Sequence, residues 1–364
     1  MAKDASVTGV EARAYTIPTD APEADGTFSW DSTTLVVVHV RGGGARGMGF
    51  TYTDGCITSL IDKQLAKAVR GRDAMDVPGS WQAMLHQVRN LGRAGLAATA
   101  ISAVDAALWD LKAKLLGLPL CRLLGMVRER VTIYGSGGFT SYSDAQIAEQ
   151  LGGWVAREGC RSVKMKVGTE PERDPHRVAA ARQAIGDAAL FVDANGALSC
   201  KQALQFADRV VGFDVRWFEE PVSSDDLAGL RHVRERAPAG MDIAAGEYGY
   251  TPDYFRRMLA AEAVDVQQAD ASRCLGITGF LQAGALCQAH HIDLSGHCAP
   301  SLHLHAACAA PRFRNLEWFH DHVRIEHMLF DGAPIPHGGM IEPDLTRPGL
   351  GLAFKQQDAE RFAT

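Results

Sequence analysis

Seven polar positions in this 364-residue chain recur roughly every 20–28 residues, each just past an apolar, β-like run. They are Lys164-Met165-Lys166, Asp193-Ala194-Asn195, Glu219-Glu220-Pro221, Gly246-Glu247, Asp270, Gly296-His297 and Glu317. That pitch is one strand plus one helix of a barrel, whose chemistry sits at the C-terminal ends of its strands. Three of these acids, Asp193, Glu219 and Glu247, fall on consecutive strands about 4.8 Å apart. Carboxylates so placed can hold one hard cation, and Mg²⁺ suits an oxygen set that leaves positions for water or substrate. Alternation on a strand sends Glu219 and Glu220 to opposite faces; Glu219 is taken as the ligand.

Lys164 and Lys166 are two residues apart and share a strand face. Two ammonium groups beside a divalent cation repel, which lowers a lysine pKa and can supply a neutral amine as base. Asp270 and His297 end the next two strands after Glu247, so the carboxylate can fix the imidazole tautomer and raise its basicity. Glu317 ends the last strand; protonated, it would donate a hydrogen bond to an oxyanion. The other histidines, His290, His291, His303, His305, His320 and His322, read as helix or loop residues.

The elements that must carry these groups are legible. Strands are expected near 131–135, 161–166, 189–193, 214–219, 242–246, 264–269, 292–295 and 315–318, with helices such as Asp144–Glu158, Asp174–Ile185, Ser199–Val211, Asp225–Arg236 and Ile277–His290 between them. The expected fold class is α/β, a (β/α)7β TIM-like barrel preceded by an α+β cap. The expected division is 1–125 for the capping domain, 126–325 for the barrel and 326–364 for a Pro/Gly-rich tail returning to the cap. In the cap, Val7–Ile17 and Thr33–Arg41 read as strands around a loop, Pro18–Asp31; a second loop is expected at Arg46–Gly55. Ala97–Leu116 reads as a helix ended by Gly117 and Pro119.

Composition narrows the function classes. A formal charge of −6 and the absence of a basic block argue against a nucleic-acid partner. No run approaches ~18 consecutive apolar residues, so no membrane span is expected. Eight cysteines without a CxxC pair read as reduced thiols, and the start Met1-Ala2-Lys3-Asp4 has no secretory pattern, so a cytoplasmic location is expected.

Taken together, Lys-x-Lys, Asp-x-Asn, Glu-Glu-Pro, Gly-Glu, Asp270, His297 and Glu317 resemble the enolase superfamily and, within it, the mandelate racemase subgroup. The helix with Asp105, Trp109 and Asp110 is similar to that family's cap helix. The resemblance implies one Mg²⁺ on Asp193, Glu219 and Glu247, with Lys166 and the His297–Asp270 dyad as acid/bases on opposite faces of a carboxylate substrate. It implies that Lys164 contacts the substrate carboxylate and Glu317 hydrogen-bonds it. Muconate-cycloisomerising relatives carry a lysine in place of the His–Asp dyad, so the chain departs from that branch. A homo-oligomer is also implied, its number not fixed.

Cap segments 18–31 and 46–55 supply mostly polar residues, which favours a hydroxylated acid over an aryl one. Trp30, Tyr52, Asn195 and Phe139 are the expected substrate contacts, with Thr140 and Tyr142 beside them. The leading expectation is dehydration of an acid sugar to a 2-keto-3-deoxy acid. The alternatives are a racemase or epimerase of a 2-hydroxy acid, and a cycloisomerase of a sugar-acid lactone or anhydro-sugar acid. A zinc amidohydrolase would need His-x-His at the first barrel strand, which here reads Val131-Thr132-Ile133-Tyr134-Gly135. A non-catalytic binding protein would have no use for Lys166 and His297.

Overall fold

The computed structural model describes residues 5–364. Eight parallel strands close into a barrel: β4 (Val131–Gly137), β5 (Ser162–Lys166), β6 (Ala189–Asp193), β7 (Val215–Glu219), β8 (Asp242–Ala245), β9 (Val266–Ala269), β10 (Asp293–Gly296) and β11 (Phe313–Phe319), with β11 pairing back to β4. Seven helices connect them, two opened by Ser–Gln capping boxes at Ser143/Gln146 and Ser199/Gln202. Helices Pro252–Ala260 and Pro300–Ala309 complete the alternation, each starting on a proline whose missing N–H costs nothing in the first turn.

The strands are buried on both faces, hence their continuous apolar character. Inside the barrel, Tyr134, Phe191, Trp217, Ala244 and Val266 form a separate apolar plug, with Phe191 and Trp217 stacked at 5.1 Å. Strand periodicity continues this interior face two residues on, to Asp193 after Phe191 and Glu219 after Trp217. Phe218 faces outward onto Phe206, 5.3 Å away. Glu220 leaves the strand at φ 37°, outside the three-acid cluster.

The cap is a three-stranded antiparallel sheet, β1 (Val7–Ala24), β2 (Ser29–Gly42) and β3 (Ala45–Tyr52), packed on helix Leu96–Leu116. Two expectations need correction. Pro18–Asp31 is not a long loop: β1 and β2 continue through it, leaving only 25–28 as a turn. Pro18 and Pro22 are tolerated because β1 is an edge strand, and the register shift between Pro18 and Glu23 absorbs the irregular stretch. Arg46–Gly55 is likewise mostly strand. Gly43 and Gly44, at φ 59° and 82°, make the tight turn that pairs β3 with β2.

The hairpin tip is fastened to the barrel. The Asp25 carbonyl accepts from the hydroxyls of Thr140 and Thr169 at 2.8 Å each, and the Pro22 carbonyl accepts from Ser141 Oγ at 2.7 Å. After Leu329 the tail pairs Met340–Ile341 with β4, then returns to the cap, where Phe354 lies 5.3 Å from Tyr15. Among the described residues no helix is long and apolar enough to cross a membrane.

Candidate active site

The strand ends bring all seven predicted positions into one contiguous polar network. Oxygens of Asp193, Glu219 and Glu247 lie within 4.8 Å of one another, all three residues buried. Asp193 Oδ1 accepts the Asn195 N–H at 2.9 Å, and Glu219 Oε2 accepts Trp217 Nε1–H at 2.9 Å. Glu247 Oε2 is buried without a hydrogen-bond partner. A buried carboxylate oxygen left bare is costly unless a cation meets it. Three convergent hard oxygens, one of them buried and unpaired, fit Mg²⁺.

Lys166 Nζ donates to Asp193 Oδ2 at 2.5 Å. Lys164 Nζ lies 2.5 Å from Glu219 Oε1, 2.8 Å from Glu317 Oε1 and 3.5 Å from Asp193 Oδ2. Burial pulls both lysine pKa values down, but the carboxylates around them outweigh it, so the direction set by the protein's own groups is upward. Lys164 is also wholly buried, drawn down between Glu219 and Glu317 over the Tyr134 ring, and does not line the cavity.

His297 Nδ1 sits 2.9 Å from Asp270 Oδ2, and Asp270 Oδ1 accepts the Ser272 N–H at 2.7 Å. Burial pushes the Asp270 carboxyl up, yet the bond from His297 and the charges around it hold it well below its usual range. An ionised Asp270 fixes the His297 proton on Nδ1 and leaves Nε2 as the acceptor. Burial lowers the His297 pKa, but Glu247 and Glu317 raise it more, so the net direction is upward. Arg273 bridges the neighbouring acids, 3.5 Å from Asp270 Oδ2 and 3.4 Å from Glu247 Oε1. Ser136 Oγ and the Cys298 N–H donate to Glu317, and against burial Lys164 and His297 hold its carboxyl well below the usual carboxylate range.

A cavity of about 620 Å³ opens above these groups, lined from the barrel by Lys166, Asn195, Glu247 and His297 and from the cap by Trp30, Thr34, Tyr52 and Asp54. Trp30, Tyr52 and Asn195 line this cavity. Phe139 does not: it is fully buried and supports Trp30 edge-on at 5.7 Å. Thr140 holds the hairpin tip instead, and Tyr142 packs on Phe139.

Two lining residues had no distinguishing sequence signal. His322 stacks on Tyr52 at 3.5 Å; its Nδ1 accepts the Ala299 N–H, so the proton is on Nε2, and burial lowers its pKa to about 3. Cys298 places Sγ 3.3 Å from His297 Nε2. Only its position next to His297 could have flagged it.

The enolase C-terminal domain-like family matches residues 146–359, and the mandelate racemase / muconate lactonizing enzyme N-terminal domain family matches residues 10–125. The chain is 33% identical to 3,6-anhydro-alpha-L-galactonate cycloisomerase of Streptomyces coelicolor, covering 96% of this chain and 97% of that protein. It is also 33% identical to L-talarate/galactarate dehydratase of Salmonella typhimurium, covering 89% and 81%. A mandelate racemase/muconate lactonizing enzyme-like protein from Rubrobacter xylanophilus superposes with a TM-score of 0.96 at 50% identity, covering 99% of this chain and all of that one. Relatives of this fold have been solved with magnesium bound.

Proposed function

Because the chain belongs to the mandelate racemase / muconate lactonizing enzyme family of the enolase superfamily, we propose that it removes the α-proton of a sugar acid and expels the β-hydroxyl, giving a 2-keto-3-deoxy acid. The reading is carried by one juxtaposition: Lys166 and the His297–Asp270 dyad open onto the same hydroxyl-lined cavity.

In this reading Asp193, Glu219 and Glu247 would hold Mg²⁺, which would supply positive charge at the substrate carboxylate and make the α-proton more acidic. Lys164 sits behind them and adds charge to the same end of the site. Asp270 orients His297 so that Nε2 can take or return a proton at carbon. Lys166 Nζ does the converse from β5, three strands round the ring from β10. The departing hydroxyl leaves as water once one of these groups has protonated it. Trp30, Tyr52, Thr34 and the Nε2–H of His322 meet the substrate's remaining oxygens from above.

A cycloisomerase of an anhydro-sugar acid is the second reading, favoured by end-to-end similarity to such an enzyme. The same proton leaves, but a ring oxygen departs in place of hydroxide. Incubation with a panel of acid sugars and anhydro-sugar acids, assayed for 2-keto product with α-deuterium exchange in parallel, tests the assignment. A keto product from an acyclic acid sugar supports dehydration, and one from anhydro substrates alone shifts it to cycloisomerisation. Deuterium in unreacted substrate without any keto product overturns both in favour of racemisation.

A further inference from the structure

Cys298 has no part in the reaction above, yet its thiol is built into the cavity. The chain turns sharply after β10: Cys298 and Ala299, neither a glycine, take φ 51° and 41°. Left-handed conformations at two consecutive side-chain-bearing residues carry strain. The turn aims the sulfur back at His297 and lets the Cys298 N–H donate to Glu317 Oε2 at 3.1 Å.

Three different donor atoms then form a triangle. Cys298 Sγ lies 3.3 Å from His297 Nε2 and 3.3 Å from Glu317 Oε2, and Nε2 lies 3.6 Å from that oxygen. A tetrahedral zinc with its usual bond lengths of about 2.0–2.3 Å separates adjacent ligand atoms by roughly 3.3–3.6 Å. The residues are already spaced as the edges of such a site. His297 presents a lone pair on Nε2 because Asp270 holds its other nitrogen, which is the carboxylate–histidine pairing that supports metal-bound imidazole.

We propose that His297 Nε2, Cys298 Sγ and Glu317 Oε2 form a second, thiophilic cation site beside the magnesium carboxylates, taking Zn²⁺ or Cd²⁺. The donor sets sort the ions. Mg²⁺ demands oxygens and near-octahedral order, whereas thiolate and imidazole select soft, tetrahedral ions. Binding forms a sulfur–metal bond and releases the Cys298 thiol proton to solvent. The ion also occupies the lone pair through which His297 would exchange a proton with substrate. Zinc therefore switches the enzyme off at the base without displacing magnesium. The site itself stands on geometry alone; the inhibition rests on the function proposed above.

The test is a Cd²⁺ titration of the full, magnesium-saturated chain, followed by the ultraviolet thiolate-to-cadmium charge-transfer absorption. One ion per chain is expected, with the band lost in Cys298→Ser and unchanged in Cys56→Ser, which removes the exposed thiol. If Cys298→Ser folds poorly, His297→Asn keeps the sulfur and is expected to weaken Cd²⁺ by more than about tenfold. A band that survives Cys298→Ser, an affinity unmoved by His297→Asn, or no band at all overturns the site. In turnover assays Zn²⁺ is expected to inhibit wild type and to lose that effect in Cys298→Ser. Cadmium binding at Cys298 without zinc inhibition would instead sink His297 as the proton-transfer group and leave the site standing.

Discussion

Gly26 at the tip of the β1–β2 hairpin packs so tightly on the loop after β6 that a Cβ there would stand 2.4 Å from the Ala194 carbonyl oxygen. Ala194 lies between Asp193 and Asn195, so the hairpin rests directly on the segment carrying one acid of the three-carboxylate cluster and a cavity residue. Closure of the cap and order in the site are thus mechanically joined.

Gly26→Ala cannot keep this seat, since the added carbon also meets the Val167 carbonyl oxygen at 2.7 Å. The tip must lift, losing the bonds from Thr140 and Thr169 to Asp25. We expect kcat/KM to drop by about 10–100-fold with the barrel intact, and faster amide hydrogen exchange at residues 24–29. Unchanged exchange there would show that the tip is not held by this contact.

Lys166→Ala and His297→Asn each remove one group proposed to move a proton while leaving the three clustered carboxylates. Turnover should fall by about 10²–10⁴-fold in each, with the Mg²⁺ dissociation constant, measured by calorimetry, within a few-fold of wild type. A variant that retains wild-type turnover removes that residue from the mechanism.

Glu247→Gln replaces the bare, buried oxygen with an amide. Magnesium affinity should weaken by more than about tenfold, and activity lost on chelation should return only at much higher Mg²⁺. Equal affinity in the two proteins would move the ion elsewhere.

Glu23 is buried beside Trp30, whose Nε1–H donates to Oε2 at 2.8 Å, and burial together with Asp321 raises its pKa from 4.5 to about 8. An acid whose folded pKa lies above its unfolded value binds more protons when folded, so stability declines as pH rises between the two values. Glu23→Gln lacks this loss. The variant's melting temperature should gain on wild type by a few °C between about pH 4.5 and 8, and stay level beyond. A difference independent of pH counts against an ionising Glu23.

Much of the site was readable because strand ends announce themselves: an apolar run that stops at Asp193, Glu219 or His297 can only leave its last polar residue at the mouth. Pairing geometry was less accessible. Two lysines read alone suggest mutual repulsion, and only coordinates reveal that Glu219, Glu317 and Asp193 neutralise them. Phe139 shares the cavity's neighbourhood in sequence, but Trp30 stands in front of it. The cap strands were underestimated because prolines and acids look like loop, while an edge strand accepts both.

The Tyr134–Phe191–Trp217 plug closes off the interior directly beneath the acids, Trp217 being bonded to Glu219. A longer molecule has no cellar to descend into. It must grow toward cap residues 25–54, the wall of the cavity that faces the strand ends, so a change of side chain there alters the room for a ligand and leaves the ring of strands untouched.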